Sequence, residues 1–124
     1  MLTAVAVVLA IAANLLTWLN RRNARIYEIQ NHFDHSAIRD AGEQILKTAD
    51  PMSMFVLSEN EIPEAIAKTN PVFVTGFKGR MRIEYGDSYW HFGLGIPHVG
   101  YLPGDSTRII EGMYSYEYTD YQWQ

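Results

Sequence analysis

Two places in the chain gather side chains that could do chemistry: the run His32-Phe33-Asp34-His35, and the stretch around His91. In the first, two imidazoles three residues apart would share one face of a helix. With Asp34 as a third ligand, and His91 or His98 completing the set, they could hold Zn²⁺ or a similar ion. The same residue types directly before a helix also make a solvated capping turn. That is the expected role here, so no metal and no cofactor is assigned, and His32, Asp34 and His35 remain the only metal candidates. His91 shares a strand face with Tyr89, Gly93 and Gly95, opposite the apolar row from Trp90 to Ile96. Glycines on that face either let a ligand or a neighbouring chain approach the backbone, or mark a bulge or tight bend.

No serine, histidine and carboxylate stand at a recognisable catalytic spacing, and Gly93-Leu94-Gly95 lacks the third glycine and following helix of a dinucleotide loop. The chain has no cysteine, which removes disulfides, thiolate metal sites and a thiol nucleophile. Near the C-terminus Tyr114, Tyr116 and Tyr118 alternate on one strand face, followed by Tyr121 and Trp123. Such a row packs as a half-buried strand or serves as a contact surface, because Tyr and Trp offer large area at small entropic cost. Tyr114, Tyr118, Tyr121 and Trp123 are the expected partner-binding residues. Tyr121 and Trp123 come first, because they lie beyond the clean alternation and because a strand in this position is expected at a sheet edge. Nucleic acid is excluded as a partner, since Arg108 is the only basic residue in the last 40.

These residues must be positioned by a chain of 124 residues that is 48% apolar and 19% charged, with 14 acidic against 10 basic side chains. That composition excludes a disordered protein and a broadly basic nucleic-acid binder, and it fits a single folded domain. Met1 to Leu19 holds 16 apolar residues and only Thr3, Asn14 and Thr17 as polar ones, with no charge. At roughly 1.5 Å per residue such a helix reaches close to 30 Å, the thickness of a bilayer's hydrocarbon core. Asn14 is the one group whose burial in lipid needs a partner. Trp18 sits where an interfacial anchor belongs, ahead of Arg21, Arg22 and Arg25. Ala10 to Ala13 resembles a cleavage site for a signal peptide, but the apolar run continues through Leu19 with no basic residue before it, so an uncleaved anchor is expected. The arginines after the span place residues 20–124 in the cytoplasm by the positive-inside rule.

Past the span, the helical pattern can continue to about Gln30. Ser36 is the expected N-cap of a second helix whose apolar stripe is Ile38, Ala41, Ile45, Leu46 and Ala49, ended by Pro51. Residues 52–57 read as a packed connector. Ser58-Glu59-Asn60-Glu61 has the order of a capping box, and Ile62, Ala65 and Ile66 mark a short helix closed at Asn70-Pro71. From Pro71 the period is two. Gly76 to Gly79, Gly86-Asp87 and Pro103-Gly104-Asp105 are the expected turns. Met81, Ile83 and Tyr85 oppose Arg80, Arg82 and Glu84, and Trp90, Phe92, Leu94 and Ile96 share a buried face. Arg108 to Gly112 and Met113 to Thr119 complete an antiparallel meander with one face covered by the amphipathic helices.

The expected fold is therefore α+β: a transmembrane helix at 1–19 and one soluble domain at 20–124 with two short amphipathic helices and an antiparallel β-meander. An apolar N-terminal helix leading into an amphipathic helix and then an antiparallel sheet resembles the layout of type IV pilins and related pseudopilins. Their Gly-Phe processing site and early glutamate do not occur between Met1 and Leu19, so the likeness is one of topology. The expected function is that of a single-pass, membrane-anchored accessory subunit or interaction module, not an enzyme, whose partners are the bilayer and either another protein or a second copy. The alternative is a small-ligand or metal-binding domain, with or without catalysis, built on His32, Asp34, His35 and His91.

Overall fold

The computed structural model describes residues 2–50, 52–77, 79–87, 89–97 and 106–119. The chain divides into two units, Met1–His32 and Phe33–Gln124.

The first unit is one helix, α1 (Leu2–Asn31), which runs without a break past the apolar segment and through the arginines. No Gly or Pro interrupts it, and Arg25 and Glu28, three apart, pair at 2.7 Å on its polar stretch. Val5, Val7, Val8, Leu9, Ile11, Leu15 and Leu16 are all more than half exposed. No part of its most apolar stretch is buried against protein, and it is long and apolar enough to cross a membrane. Thr17 returns its hydroxyl to the Ala13 carbonyl at 2.9 Å, the local bond by which a threonine satisfies itself within an apolar helix.

The second unit is α+β. Helix α2 (His35–Thr48) is capped by Asp34, whose carboxylate accepts the Ala37 N–H at 3.2 Å. The expected cap, Ser36, instead lies inside the first turn, because Asp34 is the residue whose side chain reaches the N3 amide. Residues expected to form a connector include a two-residue strand, β1 (Phe55–Val56). The capping box at Ser58 is present, but it closes only a 3₁₀ turn, Glu59–Glu61, because Pro63 starts a separate short helix, α3 (Glu64–Ala67).

Strands β2 (Phe73–Phe77), β3 (Arg80–Glu84), β4 (Trp90–Ile96), β5 (Ser106–Ile110) and β6 (Met113–Thr119) join β1 in one antiparallel sheet of order β1-β2-β3-β4-β6-β5. The order departs from a simple meander at one step: β6 lies between β4 and β5, so the aromatic strand is interior and not an edge. The reversal between β2 and β3 is tighter than expected, since Phe77 already pairs with Arg80, and Gly79 within it has φ 75°. Gly76 belongs to β2, where a Cβ would lie 2.1 Å from the Phe55 ring. The proposed turn at Pro103-Gly104-Asp105 lies outside the described residues.

Alternation gives the sheet two unlike faces. On one, Val74, Met81, Ile83, Phe92, Leu94, Ile96 and Met113 form the apolar core, each at most 7% exposed. Helix α2 covers that face at Ile38 and Gly42, where a Cβ on Gly42 would fall 2.0 Å from the Ile96 side chain. Ile45 and Leu46 of the expected stripe are only half-buried. The other face carries Arg80, Arg82 and Glu84 of β3, His91, Gly93 and Gly95 of β4, and Tyr114, Tyr116 and Tyr118 of β6.

Candidate functional site

On this second face the register sets His91 opposite Tyr118, Gly93 opposite Tyr116, and Gly95 opposite Tyr114. The glycines make room for the rings. A Cβ on Gly95 would lie 2.2 Å from the Tyr114 ring, and one on Gly93 would meet both the Ile83 carbonyl at 2.0 Å and the Tyr116 hydroxyl at 2.8 Å. Gly93 and Gly95 stand in regular ladder pairs and mark no bulge, and the room they leave is filled from within the chain. What approaches is the protein's own tyrosine row.

The same face holds a buried carboxylate. Glu84, the last residue of β3, has its side chain 1% exposed and gathers three donors. Gly86 N–H and Phe92 N–H reach one oxygen at 3.2 and 3.0 Å, and His91 Nδ1 lies 2.7 Å from the other. Beyond it, the Asp87 carboxylate accepts the Tyr89 and Trp90 amides and closes the hairpin. Burying a carboxylate is costly unless its lone pairs are filled, and these donors fill them. The His91 ring stacks on Tyr118 with centroids 4.8 Å apart, and Tyr118 stacks on Tyr116 at 5.8 Å. Arg82 donates to the Tyr118 hydroxyl and lies over both rings, 4.9 Å from the Tyr116 centroid and 5.0 Å from that of Tyr118. Tyr116 donates to the Ile83 carbonyl at 3.3 Å. Burial pushes its hydroxyl well above the ordinary phenol range, and the nearby Glu84 charge pushes the same way.

An imidazole held through Nδ1 by a carboxylate has its tautomer and orientation fixed, which is how such rings are prepared for proton transfer or for ligand contact. Glu84 and Arg82 were missed in the sequence as site residues, although the signal was present. Placing Glu84 opposite Met81 and Ile83, and His91 opposite Phe92, on two strands joined at Gly86-Asp87 puts them on one face at the hairpin's end.

The other expected site residues disperse. His32 ends the first unit, its ring 5.4 Å from that of Tyr27, while Asp34 caps α2 and His35 begins it. Among the described residues no three His, Asp or Glu side chains gather where they could hold a metal ion. Tyr114 is 4% exposed and Tyr118 half-buried on the interior strand. Tyr121, Trp123 and His98 lie outside the described residues. Compared with known proteins, the chain matches no family model, no curated protein and no solved structure.

Proposed function

We propose that the chain is a single-pass, membrane-anchored protein whose second unit is a cytoplasmic interaction module or accessory subunit. The observation that carries the reading is α1: seven large apolar side chains from Val5 to Leu16 are more than half exposed around the helix, with no protein covering them. Water is a poor solvent for such a surface and hydrocarbon a good one. Arg21, Arg22 and Arg25 follow the apolar stretch and favour a cytoplasmic second unit. The interaction role is supported by exposed Met54, Val56 and Phe77 at one end of the sheet, a cluster of large apolar side chains of the kind that marks contact surfaces. Carbonate washing of membranes tests the anchor, and the protein should stay with the lipid. Release by carbonate, or a mature N-terminus near Asn14 as a cleaved signal sequence would leave, overturns it. Protease added to sealed cells should spare an epitope placed after Gln124, and mild-detergent purification should bring a stoichiometric partner.

A second reading, a ligand-binding or catalytic domain, is favoured by the Glu84–His91 contact at 2.7 Å. It predicts a pH-dependent ligand affinity or activity that disappears in His91→Ala and falls in Glu84→Gln.

A further inference from the structure

At the end of the tyrosine face away from His91, the sheet holds an open pocket of about 150 Å³ lined by Met54, Thr75, Phe77, Arg80, Arg82 and Tyr114. The register explains its shape. Val56 faces Thr75, Thr75 faces Arg82, Arg82 faces Gly95, and Gly95 faces Tyr114, so one row crosses five strands. Because Gly95 has no side chain, the Tyr114 ring lies down over it and forms the far wall. Met54 and Phe77 form the near wall. A void of this size admits one ring or one branched aliphatic group.

The surroundings indicate what carries that group. Met54 and Phe77 in the lining are 73% and 41% exposed, and Val56 on the edge strand β1 is 66% exposed. Among the described residues, Arg80 and Arg82 line the pocket and no acidic side chain does, whereas the chain from residue 33 onward has seven basic against thirteen acidic side chains. An apolar pocket lined by two arginines beside an edge strand complements an extended chain that carries carboxylates next to an apolar side chain.

We propose that this pocket docks an extended acidic segment of a partner protein, which runs beside β1, places one Leu- or Phe-sized side chain between Phe77 and Tyr114, and sets a carboxylate against Arg80 and Arg82. The proposal deepens the interaction-module reading and rests on it. The probe is a fluorescent peptide, Glu-Val-Glu-Phe-Glu-Val-Glu, titrated into full-length protein in mild detergent. Saturable binding is expected, weakened by about tenfold in Arg80→Glu and by raised salt. It should be lost when the peptide's Phe becomes Ala, and absent for the peptide with Lys in place of Glu. An unchanged melting temperature for Arg80→Glu shows that the loss is local, and Met54→Glu, on the exposed rim, provides a second variant with the same expectation. Equal binding of the acidic and lysine peptides, no saturation by roughly 1 mM, or full affinity in both variants overturns the proposal. So does self-association that the same variants abolish without peptide, which would make a second copy the occupant. A membrane-bound protein that retains its co-purifying partner while ignoring the peptide leaves the broader reading standing and removes this one.

Discussion

The Glu84 carboxylate meets the His91 imidazole at 2.7 Å across the mouth of the β3–β4 hairpin, and its second oxygen takes the backbone N–H of Phe92. One side chain thus ties a ring, a strand and a turn together. Removing it leaves buried donors without acceptors. Glu84→Ala is therefore expected to cost about 3–5 kcal/mol, and Glu84→Gln less, since its carboxamide oxygen still accepts. Denaturant unfolding of the full chain measures both. Equal and small losses would mean that the carboxylate contributes little to holding the hairpin.

The glycine and tyrosine rows should be coupled energetically. Gly95→Ala is expected to destabilise by about 1–3 kcal/mol because its methyl enters the space of the Tyr114 ring. Part of that loss should return in the Gly95→Ala, Tyr114→Ser double variant, giving a coupling of roughly 0.5–3 kcal/mol in a double-mutant cycle. Gly93→Ala has no such rescue, since its obstacle includes the Ile83 backbone carbonyl.

Alkaline pH should loosen the fold through Tyr116. Its hydroxyl ionises at higher pH in the folded chain than in the unfolded one, because burial and the Glu84 charge oppose the phenolate. The stability this contributes is complete below the unfolded phenol value of about 10 and is lost as pH rises from there toward the folded value. Stability against pH should fall less steeply in Tyr116→Phe, with tyrosinate absorbance following the same titration.

The cap of α2 discriminates between two neighbouring residues. Asp34→Ala should cost about 1 kcal/mol and Ser36→Ala no more than about 0.5 kcal/mol, read as shifts in unfolding midpoint. The reverse order would restore Ser36 as the cap.

Several of these relationships were legible in the residues and others were not, for physical reasons. The alternation of Phe92, Leu94 and Ile96 announced a buried strand face, and it also placed His91 with Gly93 and Gly95. The apolar length of α1 was equally plain. The strand β1 was not visible, since two residues carry no period and Phe55–Val56 becomes a strand only by pairing with Thr75 and Gly76. The interior position of β6 was hidden because pairing order depends on contacts distant in sequence. That order also changed the reading of Tyr114, which packs on Gly95 where a surface contact was expected. The alternation placed Glu84 only on the face opposite Met81 and Ile83, and its burial follows from the donors that the closed hairpin brings to it.

The insertion of β6 between β4 and β5 has a consequence for the order in which the protein is made. As the ribosome releases the chain, β1 to β4 can zip up hairpin by hairpin, but β5 emerges with nothing to pair with until Met113–Thr119 follows. Until then the outer edge of β4, with Phe92 and Leu94 beside it, stays open as a template for any nascent neighbour's strand. The short Glu111-Gly112 reversal then brings β5 and β6 together as a preformed hairpin, and Gly112 at φ 81° favours that tight return. Closing the sheet thus waits for Met113–Thr119, and the interval before β6 pairs with β4 is where misassembly would concentrate.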